Sequence, residues 1–164
     1  MNTSIAAGEL AQTSYNFDLV ALSYAIAVIG SFVALTAAQR ICRHGRIHKL
    51  NLLAASVALG GIGVWSMHFT GMLALDLGMG SGYSVFETVA SLLAAVLATG
   101  MALGFVAQAP DNQARLLTAG GLLGLGVAFM HYLGMFGLRF PGYITWSWSI
   151  IALSVVIAIV AASV

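Results

Sequence analysis

Apolar runs about twenty residues long, broken by short polar stretches, organise this chain. A helix that crosses the hydrocarbon of a bilayer needs about 20 mostly apolar residues. Five stretches have that length: roughly Leu19 to Ala38, Leu50 to Leu75, Val85 to Ala107, Leu116 to Leu138, and Trp146 to Val164. The pattern predicts an all-α, polytopic transmembrane helical bundle of five spans in a single domain over residues 1–164. Gly60, Gly61 and Gly63 interrupt the second span, and Gly120, Gly121, Gly124 and Gly126 the fourth. In water such glycines would argue against helix. Between membrane helices they allow close approach, which places both spans at the centre of the bundle.

The polar stretches give an orientation. The segment Arg40 to Lys49 holds four of the chain's six Lys and Arg residues. The positive-inside rule puts it in the cytoplasm and the N-terminus outside. Asp76 then lies outside with Glu87 just beyond it, and Asp111 and Arg115 lie inside. Arg139, outside, opposes the rule as a single charge. Tyr143, Trp146 and Trp148 suit the outer interface as amphipathic anchors.

Within the apolar runs one pattern returns. WSMHFTGM (Trp65–Met72) is matched by AFMHYLGM (Ala128–Met135), and His68 and His131 are 63 residues apart. Upstream, YNFDLVALS from Tyr15 is matched by YSVFETVAS from Tyr83. These matches predict parallel two-helix repeats: one over about 15–75, a second over about 83–138, and the start of a third over about 143–164. The last span ends at Val164 without a cap, a basic stop or a tail, so the natural chain is expected to continue.

Composition sharpens the class. The chain is 60% hydrophobic and 7% charged, with a mean hydropathy of +0.99. Soluble domains carry about 25% charged residues, so a water-facing surface is not available here. No basic cluster interleaved with aromatics points to nucleic acid. Cys42 is the one cysteine, which excludes an intramolecular disulfide, and there is no CxxC or CxxCH motif. No basic n-region or cleavage motif marks a signal peptide.

On a helix, residues i and i+4 share a face, which pairs His68 with Met72 and His131 with Met135. Met67 and Met130 precede the histidines and point about 100° round. Two imidazoles with thioethers suit copper better than Mg or Ca, and zinc prefers thiolate or carboxylate beside histidine. Asp18 and Glu87 stand near the outer ends of their spans, either as partners of a ligand histidine's second nitrogen or as helix-start residues facing water. Met79 and Met101 read as packing or loop residues, and His44 and His48 as solvated loop residues. No nucleophile with a base, hydrolytic metal motif or phosphate loop is present, so no catalysis is expected within these residues.

The stretches GIGVWSMHFTGM (Gly61–Met72) and GVAFMHYLGM (Gly126–Met135) resemble the repeated signature of the bacterial MHYT membrane sensor domains. Phe69 stands where that signature has tyrosine, and Leu133 where it has threonine. The resemblance covers almost the whole chain. It implies further spans with a third motif copy. It also implies a fused or separate output module, either a cyclic di-GMP enzyme or a histidine kinase. The function it implies is sensing of a diatomic gas (oxygen, carbon monoxide or nitric oxide), or of copper or redox state, through bound copper. The ligands would be His68, His131, Met72, Met135, Met67 and Met130. Two other readings remain open: a haem held by the two histidines for electron transfer, and a structural subunit whose histidines only pack; a transporter is disfavoured, because the copies are parallel and no midmembrane acid or Arg marks an ion path. Lipid is a partner in every case.

Overall fold

The computed structural model describes residues 13–43, 46–78, 80–142 and 145–163. Tyr143, His44, Met79 and Val164 lie outside them. In chain order the elements are β1 (Ser14–Tyr15), α1 (Phe17–Ala38), β2 (Cys42–Arg43), β3 (Arg46–Ile47), α2 (Lys49–Ser56), a π-helical segment (Val57–Ser66), α3 (Met67–Leu73), β4 (Leu75–Asp76), β5 (Gly82–Tyr83), α4 (Val85–Ala107), α5 (Gln113–Phe136), β6 (Leu138–Arg139) and α6 (Trp148–Ser163). The strands form three antiparallel pairs, β1 with β4, β2 with β3, and β5 with β6. Two of these ties lie at one end of the bundle. Asn16 N–H donates to Ala74 O and Ser84 N–H to Gly137 O, each at 2.9 Å. The β2–β3 hairpin closes the opposite end.

Burial is inverted relative to a water-soluble protein. The buried apolar residues are mostly alanines, among them Ala34, Ala55, Ala58, Ala95, Ala102 and Ala119. Large apolar side chains point outward: Phe32 is 72% exposed, Leu97 64% and Phe129 62%. Small residues bring backbones together, and lipid solvates the large side chains. A Cβ on Gly30 would collide with Gly63 Cα, so α1 and the π-helical segment touch backbone to backbone. A Cβ on Gly60 would lie 2.5 Å from Ala95 O on α4. Gly120 and Gly124 meet Ser163, Ala158 and Ile159 of α6 in the same way. The second crossing therefore sits between α1 and α4, and α5 between α4 and α6.

Two expectations are corrected. Four helical crossings, not five, are long and apolar enough to span a membrane among the described residues: Phe17–Ala38, Lys49–Leu73, Val85–Ala107 and Gln113–Phe136. The apolar run from Trp146 overstates the last helix, because Trp146 and Ser147 precede the helical backbone that starts at Trp148. Its 16 residues reach about 24 Å, short of the roughly 30 Å hydrocarbon core. The construction from parallel two-helix repeats is also not seen. The second crossing changes from α to π and back to α, whereas the fourth is α-helical throughout, so no clear two-helix repeat is shown.

Hydroxyl groups satisfy the irregular backbone. Ser66 Oγ donates to Gly61 O at 2.9 Å within the π-helical segment, and Ser23 Oγ on α1 donates to Met67 O at 2.7 Å where that segment meets α3. The buried Ser56 and Thr99 hydroxyls donate to Leu52 O and Ala95 O of their own helices. No buried side-chain nitrogen or oxygen among the described residues lacks a partner. That matters in a membrane, where water cannot supply one.

Candidate functional site: a histidine pair between two spans

The two motif histidines meet. His131 Nδ1 on α5 lies 3.1 Å from His68 Nε2 on α3, with the rings edge to face at 68° and centroids 4.8 Å apart. Both rings are partly buried. As drawn, the contact is a hydrogen bond whose donor depends on the tautomers. It crosses from the central span to α5, so it ties together helices far apart in sequence.

A cavity of about 220 Å³ adjoins the pair, lined by Met67, His68, Met130, His131, Tyr132 and Ser154 among others. Met130 is 1% exposed, one of the largest fully buried side chains. The two methionines expected to point away from the histidines thus share the histidine cavity. Met72, expected on the ligand face, packs with its sulphur 3.8 Å from the point where a Gly134 Cβ would lie. Met135 lines a different cavity, of about 350 Å³, with Arg139 and Trp146. The histidine cavity lies on the flank facing α6, and the position before each histidine projects there.

Residues that sequence reasoning did not single out complete the surroundings. Tyr132 sets its ring edge against His131 at 4.8 Å, and its hydroxyl bonds Ser154 Oγ on α6. Trp65 stacks on Phe69 at 5.1 Å, Phe69 meets the Tyr83 ring at 5.0 Å, and Trp65 Nε1 donates to Ser91 Oγ on α4 at 2.9 Å. Burial raises the Tyr83 phenol above its ordinary pKa. Aromatic and hydroxyl contacts thus hold the π-helical segment against α4 and α3 against β5 on one side, and α5 against α6 on the other. Ser154 is a polar residue in an apolar helix, the one sequence signal that could have flagged it.

Asp18 and Glu87 sit at helix starts. Asp18 is exposed in the first turn of α1, where Asn16 Oδ1 accepts from the backbone N–H groups of Asp18 and Leu19. Glu87 Oε1 accepts from Arg139 Nη2 at 2.7 Å, its other oxygen accepts from Ser84 Oγ, and Arg139 Nη1 also donates to Phe136 O. Neither acid hydrogen-bonds a histidine. Among the described residues no group of three or more His, Cys, Asp or Glu gathers that could hold a metal ion.

The family model described as the N-terminal repeat of bacterial signalling proteins, MHYT, matches residues 61–119 and 124–164. The chain is 39% identical over 149 residues to the bifunctional diguanylate cyclase/cyclic di-GMP phosphodiesterase MucR of Pseudomonas aeruginosa, covering 91% of this chain and 22% of MucR. It is 35% identical over 123 residues to the signaling protein YkoW of Bacillus subtilis, covering 74% and 15%. It is 33% identical over 153 residues to the cyclic di-GMP phosphodiesterase NbdA of Pseudomonas aeruginosa, covering 93% and 19%. This chain thus spans about a fifth of the length of these relatives. No solved structure matches. With more than half of its residues covered by the family model, the chain belongs to the MHYT family of bacterial signalling proteins.

Proposed function

We propose that this membrane domain senses a diatomic gas, copper or redox state at the His68–His131 pair and signals to a cytoplasmic cyclic di-GMP output module. The observation that carries the site is the 3.1 Å approach of two imidazole nitrogens beside a cavity walled by two methionines. The output rests on the likeness to MucR and NbdA, both named for cyclic di-GMP enzymes. The orientation rests on charge: the end bearing Arg40, Arg43, Arg46, Lys49 and Arg115 is cytoplasmic, and the N-terminus is periplasmic in a bacterial inner membrane.

The donor set fits copper. His68 Nε2 and His131 Nδ1 lie 3.1 Å apart, near enough that one metal ion would be held by both. Imidazole and thioether together suit copper, and thioether favours Cu(I). A haem would be held by His68 and His131 alone and would leave the two cavity methionines unused. The site fits that less well, and haem is not carried further. His68 and His131 would hold the copper, with Met67 and Met130 at the cavity wall and Met72 one turn along α3. Copper held there would supply a binding site for oxygen, carbon monoxide or nitric oxide. The chain's own residues orient the pair: Tyr132 against His131, and Ser23 on the Met67 carbonyl beside His68. An apolar gas reaches the cavity through lipid and needs no polar channel. Signalling requires two packings of α3 against α5 with different affinity for the ligand.

Elemental analysis of detergent-purified protein, with its affinity tag removed, tests the proposal together with an absorption spectrum. Near-stoichiometric copper without a Soret band is expected, lost in His68→Ala. No copper after anaerobic reconstitution with Cu(I), or unchanged stoichiometry in His68→Ala, would return the histidines to a structural role.

A further inference from the structure

A second cavity lies at the opposite end of the bundle. It is a groove of about 360 Å³ between α1 and α2, lined by Phe32, Val33, Thr36, Ala37, Arg40, Asn51 and Ala54. From Phe32 to Arg40 it follows about 12 Å of α1. Its long wall is apolar and open to the surroundings of the bundle, with Phe32 72% and Val33 46% exposed. Its mouth carries a cation. The arrangement is graded: hydrocarbon along the span, positive charge where the span leaves the membrane.

The cation is held in place but unspent. Asn51 Nδ2 donates to Arg40 O at 2.6 Å, Arg40 N–H donates to Ala37 O, and His48 N–H donates to Ile41 O. The backbone at the mouth is therefore fixed to both helices. The Arg40 guanidinium itself has no hydrogen bond or ion pair among the described residues. Arg115, at the same end, is engaged: its guanidinium lies 5.0 Å from the Phe105 ring centre and donates to Gln108 Oε1. Arg139, at the other end, is paired with Glu87. Five of the six Lys and Arg residues belong to the groove's end, with Asp111 as the one acid there among the described residues. Among the described residues no anion neutralises Arg40.

We infer that the α1–α2 groove binds one anionic glycerophospholipid, its phosphate on Arg40 and an acyl chain along Phe32, Val33 and Ala54. Charge complementarity and position decide the occupant. A guanidinium forks onto phosphate oxygens. Basic pockets between spans on one membrane face are suited to anionic head groups. Thr36 lends its hydroxyl to Phe32 O, which leaves that wall apolar in effect. The inference does not depend on the histidine site.

Native mass spectrometry of the purified chain tests it, with phosphatidylglycerol and phosphatidylcholine of the same acyl chains added in turn. Phosphatidylglycerol should be retained about fivefold to tenfold more than phosphatidylcholine. Arg40→Gln should abolish the preference. Lys49→Gln should reduce it by about half or less, since Lys49 is exposed outside the groove and supplies only general surface charge. Ala54→Phe, which fills the groove and keeps every charge, should also lose the lipid; Ala37→Phe serves if the first variant does not fold. Equal retention of both lipids, equal effects of Arg40→Gln and Lys49→Gln, or retention intact in the filled groove would overturn the inference. So would displacement of the lipid by soluble glycerol phosphate, because the apolar wall would then contribute nothing.

Discussion

Replacing Gly124 with alanine should destabilise the bundle, whereas the same change at Gly121, three residues earlier on the same helix, should not. A Cβ at position 124 would lie 2.6 Å from Ala158 O and Ile159 Cα of α6. Comfortable carbon contacts lie at about 3.5–4.0 Å, so α6 would have to retreat by about 1 Å. The obstacle is backbone, which cannot swing aside as a side chain does. Overpacking of this kind costs about 1–3 kcal/mol. Replacing glycine in a helix returns up to about 1 kcal/mol through propensity. The net expectation for Gly124→Ala is a loss of about 1–2 kcal/mol, or roughly fivefold to thirtyfold in the unfolding equilibrium. At Gly121 nothing lies within 4 Å of the new Cβ. Only the propensity gain of up to about 1 kcal/mol remains there. Reversible unfolding in mixed detergent, followed by circular dichroism, measures both. The same sign and size at the two positions would refute the backbone contact between α5 and α6.

Three further outcomes are expected. Trp65→Phe keeps the stack on Phe69 but removes the donor to Ser91 Oγ; it should cost about 0.5–1.5 kcal/mol in the same unfolding assay. His68→Ala and His131→Ala should be non-additive by about 0.5–3 kcal/mol in a double-mutant cycle, because each removes the other's partner; an additive cycle argues against the pair. Asn16→Ala should cost about 1 kcal/mol by unfolding, since the cap accepts from the Asp18 and Leu19 N–H groups; no change would mean that those amides find other acceptors.

The first four spans were legible because length and hydropathy alone report them; their ends agree with the sequence reading to within about three residues. Helix type was not legible. Gly60, Gly61 and Gly63 announce close approach, which Gly30 and Ala95 meet. The same letters fit an α-helix as well as the π-helical segment, because register is chosen by partners such as Ser23 on a neighbouring helix. Hydropathy also counted Trp146 as helical, since an aromatic at an interface scores like one inside a span. The two motif histidines could be picked out from the recurrence of Met-His. The methionines around them could not be ranked, because a helical wheel gives the angle between residues on one helix and says nothing of where the third helix lies. Arg139 looked like a charge on the wrong side. The structure pairs it with Glu87 across 52 residues, a relation that no local pattern contains.

The two readings of the histidine pair differ by the position of one proton, which gives them separate signatures. His68 presents Nε2 and His131 presents Nδ1. In the hydrogen bond, one of these nitrogens carries hydrogen and the other accepts, so with both rings neutral the two histidines are the same tautomer: both protonated at Nδ1, or both at Nε2. A metal between them needs both facing lone pairs free, so His68 must carry its hydrogen at Nδ1 and His131 at Nε2, which makes the tautomers opposite. Conversion from one arrangement to the other moves one proton to the far side of one ring. That ring must then find an acceptor on its outer edge. His131 already has the Tyr132 ring against it at 4.8 Å. Nitrogen-15 spectra of labelled imidazoles in detergent distinguish the two cases before and after Cu(I) is added. Like tautomers that become unlike on addition support ligation by the pair, and tautomers that do not respond to Cu(I) leave a hydrogen-bonded strut between α3 and α5.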